Sequence, residues 1–250
     1  MKIAVCIKRV PEMDSRFKIA ASGTAVDETG LKFAISDFDE WAVEAALQLK
    51  EKHGGEVAVI SLGPDSVQES IRKALAMGAD RGVQLKADAV PFDGFSVATA
   101  LAAELEGGAY DLVMFGKIAV DSSSGVTGAM VAEVLGLPCV TAVSKLEIAD
   151  GRGTAERALE SATEVVEFPL PAVVTVDQGL VAAARYPALK GIMAAKKKPL
   201  ETRPAQLAPA QLTVTRFELP PERAAGRIIG EGTAAVPELV RLLREEAKVL

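Results

Sequence analysis

The polar chemistry of this chain gathers in one stretch, "GKIAVDSSSGVTGAM", residues 116–130, set between the apolar runs "YDLVMF" and "VAEVLGL". Ser122, Ser123, Ser124 and Thr127 supply hydroxyls, and Gly116, Gly125 and Gly128 let the backbone come close to a bound group. A helix starting near Thr127 would add unpaired N–H groups and the positive end of its dipole, which together favour a phosphate. The same residues also suit a plain turn in which one serine caps the helix. The stretch alone leaves both readings open.

Familiar nucleotide signatures narrow the chemistry by failing. There is no G-x-x-x-x-G-K-[ST], and "KRVPEM" stands after the first strand where a dinucleotide fold carries G-x-G-x-x-G. "GVTG" offers the opening G-x-x-G of a universal-stress-type ATP loop, but the later glycine of that loop falls at Pro138. The Ser-Gly-rich loop that a synthetase-type pyrophosphatase carries after its first strand is missing too. A phosphate site here would hold a nucleotide and not cleave it. No Ser-His pairing and no metal-ligand cluster is present, so no catalytic or metal residue is expected. The only histidine, His53 in "KEKHGG", fits a helix C-terminus. Asp37, Asp39 and Glu40 crowd together, which the dipole of a helix start explains. Cys6 and Cys139 sit in apolar runs with no C-x-x-C partner and are expected to be buried and structural.

A net charge of −6 and a pI near 5.1 argue against a general nucleic-acid binder, which needs a basic surface. With no signal-like segment and no apolar run near the ~20 residues of a membrane span, a cytoplasmic chain without a targeting segment is expected.

The elements that must position these residues alternate. "KIAVCIKRV", "EVAVISL", "RGVQLKA" and "YDLVMFG" read as strands, and short strands around glycine turns are expected in "FKIAASGTAVDETGLKF". "DFDEWAVEAALQLKEKHGG", "GPDSVQESIRKALAMGA", "FSVATALAAELEGG" and "GVTGAMVAEVLG" read as helices. The strands are continuously apolar, which fits a parallel sheet covered on both faces, with ligands beyond the carboxyl ends of its strands. After Pro138 the runs "AVSKLEI", "GTAERALE", "TEVVEF" and "PAVVTV" are β-like and either extend the sheet or form a hairpin on its edge. "RYPALKGIMAAKKKP" combines a loop with a short helix, and residues 199–218 read as extended. The closing helix in "TAAVPELVRLLREEAKVL" has Val236, Leu239, Val240 and Leu243 on one face, with Thr233 as its cap and Pro237 in its first turn. The fold class is α/β: a doubly wound, mostly parallel sheet with a β-rich extension and a C-terminal arm and helix.

Six segments, in order, resemble the β subunits of electron-transfer flavoproteins: "CIKRVP", "DFDEWAVEAALQLKE", "GP...ALAMGADRG", "FGK-A-D...TG-M-AE", "LPAVVTVD" and "RYPALKGIMAAKKKP". The resemblance covers essentially the whole chain. It implies an adenine-nucleotide α-hydrolase-like domain over residues 1–198 that includes a partner-recognition loop at about 184–195. Residues 199–250 would form an extended arm and an amphipathic helix packing on an α subunit. It also implies a heterodimer whose α subunit holds most of the FAD, with AMP bound structurally in this chain. Electrons would pass from acyl-CoA or similar dehydrogenases to a quinone oxidoreductase or another acceptor, so the chain would be a carrier component and not an enzyme by itself. In bifurcating relatives a second FAD replaces the AMP and NADH is oxidised.

The nucleotide site implied by the resemblance falls on Cys6, Ser36, Asp37, Phe38, Asp39 and Leu62, and on Gly116, Lys117, Asp121, Ser122, Ser123, Ser124, Gly125, Val126 and Thr127. The chain departs from the family at Ile118, at Ser122 with Ser123, and at Val126, where a glutamine, acidic residues and a second glutamine are usual. Phe38 matches an aromatic beside the flavin, though core packing at a helix start explains it equally. Leu189 matches the family's partner-anchoring leucine, with Tyr186, Ile192 and Met193 beside it and Arg185 shaping the loop. Lys196, Lys197 and Lys198 read as a solvated helix end that also steers acidic partners.

Overall fold

The computed structural model describes residues 1–221 and 225–250, so residues 222–224 of the expected arm lie outside the described residues. In chain order the elements begin with β1 (Lys2–Cys6), β2 (Arg9–Pro11), β3 (Phe33–Ile35) and α1 (Asp37–His53). Next come β4 (Glu56–Gly63), α2 (Val67–Met77), β5 (Arg81–Lys86), α3 (Gly94–Glu106), β6 (Leu112–Gly116) and α4 (Thr127–Leu135). Then follow β7 (Cys139–Ala149), β8 (Arg152–Ala158), β9 (Thr163–Pro169), β10 (Ala172–Val176), α5 (Leu189–Ala195), β11 (Leu200–Pro204) and α6 (Val236–Glu245).

Nine strands form one sheet in the order β11-β5-β4-β1-β6-β10-β7-β8-β9. From β11 to β7 every pairing is parallel; β8 and β9 add an antiparallel meander at one edge. Alternate strand residues feed two cores, as the period of a strand requires. Ile3, Val5, Val57, Val59, Leu112 and Met114 face α1 and α2, while Ala4, Cys6, Ala58, Ile60, Val113 and Phe115 face α3 and α4. Helices on both faces make the sheet doubly wound. The chain builds β1, β4 and β5 in one direction, then returns to place β6 on the other side of β1. The carboxyl ends of β1 and β6 therefore mark the switch point where such sheets open a crevice.

Local sequence accounts for the helix limits. Asp37, Asp39 and Glu40 open α1, Lys50, Lys52 and His53 close it, and Gly54 at φ 72° ends it, so His53 sits where a helix terminus was expected. Asp93 caps α3 by accepting the Phe95 N–H at 2.9 Å, and Gly136 ends α4 in the left-handed region.

The expectations past Pro138 fare differently. Of the two readings for "PAVVTV", the one in which it joins the sheet holds: as β10 it lies between β6 and β7 with all five strand residues buried. Cys6 is buried, but Cys139, the first residue of β7, is exposed. The segment from residue 199 is extended as expected at its start, where β11 pairs with β5 along Leu200–Pro204 as an edge strand of the sheet. Thr233 does not cap α6. It begins a 3-10 turn, Thr233–Ala235, and α6 starts after Ala235 without a side-chain cap, with Pro237 in its first turn as expected.

The arm then runs across the start of α3. The Ala205 N–H donates to the Lys86 carbonyl, Ser96 Oγ to the Ala208 carbonyl, and the Gln211 and Leu212 N–H groups to Asp93 Oδ2. Phe217 meets Phe92 edge to face and donates its N–H to the Gly23 carbonyl. Gly23 lies in the glycine turn between Ile19 and Val26, which bridge as antiparallel neighbours.

Candidate functional site at the carboxyl edge of the sheet

The switch point is closed from behind by one carboxylate. Asp39, in the first turn of α1 and only 6% exposed, accepts the Lys8 N–H just past β1 at 2.8 Å and the Gly116 N–H at the end of β6 at 2.9 Å. Burial pushes its carboxyl up to about 7, against the pull of those two N–H bonds. Ser36 is fully buried. Its N–H donates to the Lys8 carbonyl, and its Oγ accepts the Val120 N–H at 3.3 Å instead of capping α1. Both side chains thus serve the frame that joins β1, α1 and the 117–126 loop.

Gly116 is a glycine for want of space. A Cβ there would lie 2.6 Å from Asp39 Oδ1 and 2.6 Å from Phe38 Cβ. Gly128 is also excluded from carrying a side chain, since a Cβ would meet Thr175 Cγ2 at 2.6 Å; this closeness seats the start of α4 on β10. Between them the loop turns through Ser123 at φ 51° and Gly125 at φ 66°. Residues 121–126 are exposed. Met130 is the first residue of α4 whose N–H finds an acceptor, Val126 O at 2.9 Å, so the N–H groups before it are those a helix start leaves free. Val126 offers no side-chain cap. Of the two readings of this stretch, the serine-capped turn is therefore absent. The hydroxyls of Ser122, Ser123 and Ser124 stand outside the helix.

Two cations border the loop, each already paired. Lys8 Nζ lies 2.7 Å from Asp121 and Lys117 Nζ 2.7 Å from Asp177, just past β10. Lys117 also stands over the Phe38 ring, 5.1 Å from its centroid, and Phe38 packs edge to face on Trp41 at 4.9 Å. With the cations neutralised, an anion here would be met chiefly by backbone N–H groups and hydroxyls, a donor set suited to phosphate. Cys6 and Leu62, at the ends of β1 and β4, are buried in the core facing α3 and α4. Burial, with Asp39 adding to it, holds the Cys6 thiol protonated. These two stand at the back of the cleft, whereas Asp37 is exposed and Thr127 half-buried at its rim.

Cavities of about 340 Å³, lined in part by Glu12, Arg16, Asp27 and Lys32, and about 310 Å³, lined in part by Leu85, Glu104 and Arg203, lie away from this cleft. Among the described residues no cluster of His, Cys, Asp and Glu could hold a metal ion, and no helix is long and apolar enough to cross a membrane.

A second surface stands apart. The loop before α5 and its first turns expose Tyr186 (95%), Leu189 (77%), Met193 (57%) and Ile192 (45%) together. The expectation of three solvated lysines beside it holds for Lys196 and Lys197 only. Lys198 Nζ donates to the Leu75 and Ala79 carbonyls at the end of α2, and burial lowers its pKa.

The chain is similar in sequence to known proteins. Residues 23–208 match the family model described as electron transfer flavoprotein domain. Over its full length the chain is 38% identical to the electron transfer flavoprotein subunit beta of Bacillus subtilis (strain 168), covering all of that protein. It is 39% identical to the subunit of the same name from Syntrophomonas wolfei, covering 98% of it. It is 38% identical to the human subunit, with 90% of this chain aligned to 91% of that one.

Proposed function

The chain belongs to the β subunits of the electron transfer flavoproteins, and from that membership we propose that it works as the β half of a heterodimer that relays electrons from acyl-CoA-type dehydrogenases to a quinone oxidoreductase or a similar acceptor. FAD, held mainly by the α subunit, supplies the redox chemistry when bound. This chain contributes no catalytic group of its own and works in the cytoplasm. In its carboxyl-edge cleft it holds AMP as a structural ligand. The start of α4 and Ser122–Ser124 receive the phosphate, Gly116 lets it approach the backbone, and Phe38 with Lys117 forms a side wall toward the flavin. Tyr186, Leu189, Ile192 and Met193 dock the dehydrogenase, and the 199–250 arm with α6 packs on the α subunit.

One observation carries the nucleotide reading. Asp39 ties the ends of β1 and β6 together at the switch point, while the adjoining helix start has free N–H groups and no side-chain cap. A structural nucleotide suits that donor set because backbone N–H groups and hydroxyls hold a phosphate in place.

The test is extraction of bound nucleotides from the co-purified heterodimer. One FAD and one AMP per dimer are expected, and the β chain purified alone should lack stoichiometric flavin. Two FAD and no AMP would replace the AMP reading with that of a bifurcating, NADH-oxidising carrier.

A further inference from the structure

The exposed apolar loop is tied down at both ends by charged side chains. Upstream, the Arg185 guanidinium donates from Nε and Nη2 to Glu44 at 2.7 and 2.9 Å, and from Nη1 to Glu51 at 2.6 Å. The Arg185 N–H adds a bond to Glu44 at 3.1 Å. Glu44 is 4% exposed, and Gln48 donates to its other oxygen. Burial pushes the Glu44 carboxyl up, but the bonds from Arg185 and Gln48 more than offset this and hold it below the usual range. Downstream, Arg72 Nη1 donates to the carbonyls of Ala195 and Lys198 at 2.6 and 2.8 Å, and Lys198 returns two bonds to the end of α2. Gly191 lets α5 lie against α2, since a Cβ there would fall 2.4 Å from the Ala76 carbonyl oxygen.

These ties exceed what an ordinary surface pair provides. A helix as short as Leu189–Ala195 does not hold its shape alone in water. A planar guanidinium gripping a buried carboxylate fixes direction as well as distance. Glu44 and Glu51 also belong to α1, whose first turn carries Phe38 and Asp39 at the cleft. A single straight element therefore sets the loop's position relative to the nucleotide end of the sheet.

We infer that Arg185 and Arg72 are positioning residues that hold the Tyr186–Met193 surface in its docking shape before a partner arrives, so that little ordering is left for the encounter. The inference rests on the reading of that surface as the dehydrogenase contact. Preorganisation acts on affinity more than on the electron-transfer step itself.

The heterodimer, co-expressed with its α subunit, is tested in two ways. Hydrogen–deuterium exchange is followed on peptides spanning 186–195, and KM and kcat are measured with an acyl-CoA dehydrogenase reduced by octanoyl-CoA. For Arg185→Gln, exchange in the loop should quicken and KM should rise, each about tenfold, with kcat within about twofold of wild type and core peptides unchanged. Arg72→Gln, acting from the other end, should move both readouts the same way and serves if Arg185→Gln does not assemble. Leu189→Ala should raise KM without altering exchange. If both arginine variants leave exchange and KM unchanged while Leu189→Ala still raises KM, the positioning role is overturned and the docking surface stands. If Leu189→Ala leaves KM unchanged as well, the docking reading falls, and the inference with it.

Discussion

Gly116 and Asp39 are the residues on which the cleft depends, and they were legible to different degrees. The glycine stands out as the boundary between an apolar run and a polar loop, and its need for space follows from that place. Alanine there would push into Asp39 Oδ1 and Phe38 Cβ at 2.6 Å. Gly116→Ala should therefore destabilise the chain by about 1–3 kcal/mol and empty the cleft of nucleotide, read by thermal melting and nucleotide content of the heterodimer. Asp39 reads as a ligand contact or a dipole partner; it stands in the first turn of α1, and it also ties two strand ends together. A signal was present: Asp39 falls on the same helical face as Ala42, Val43 and Ala46, which is the buried one. An acid on that face asks for buried donors, and the two N–H groups supply them. Its folded value near 7 stands above the 3.8 of the free carboxyl. Its contribution to stability is thus full below the unfolded value and is lost as pH rises through about 7. Asp39→Asn does not titrate, so its Tm relative to wild type should climb by a few degrees between about pH 5 and about pH 8. Parallel Tm curves would mean that Asp39 ionises at its ordinary value.

At the scale of elements, the alternation of strands and helices up to α4 follows from hydrophobic runs, glycine stops and acidic helix starts, all local features. The place of β10 does not. Strand order is decided by pairings between residues far apart in sequence, and no local pattern states that Ala172–Val176 enters between β6 and β7. One hint existed: its run has no polar alternation, whereas β9 alternates as a one-sided edge strand does. The arm's path was equally hidden, because it hangs on a side chain that a local reading assigns to a helix cap alone. Asp93 caps α3 with one oxygen and receives the Gln211 and Leu212 N–H groups with the other. Asp93→Ala should therefore do more than fray a helix. Limited proteolysis should cut within residues 205–217 several times faster than in wild type, while Asp93→Asn, which keeps the cap, should fall between the two. Equal cleavage in all three would mean that β11, the Ser96–Ala208 bond and Phe217 hold the arm without Asp93.

The whole molecule presents a covered sheet centre and an uncovered C-terminal helix. The central strands β4, β1, β6 and β10 are buried on both faces, yet α6 buries none of its residues, and Val236 and Leu239 stay exposed on the side that Val240 and Leu243 share. An amphipathic helix without a core of its own gains little from folding alone, so its apolar side calls for a surface from another chain. The family pairs this chain with an α subunit, and the arm carries α6 away from the sheet. Burying a leucine contributes about 1.5–3 kcal/mol. Placing aspartate at both Leu239 and Leu243 removes that gain twice and adds the cost of desolvating charge. Leu239→Asp with Leu243→Asp should weaken heterodimer assembly by at least about a hundredfold, seen as separated subunits on size-exclusion chromatography. The melting of the isolated β chain should not change, because neither leucine supports the sheet. A lower Tm for the isolated chain would mean that α6 packs at home, and unchanged assembly would mean that the α subunit grips this chain elsewhere.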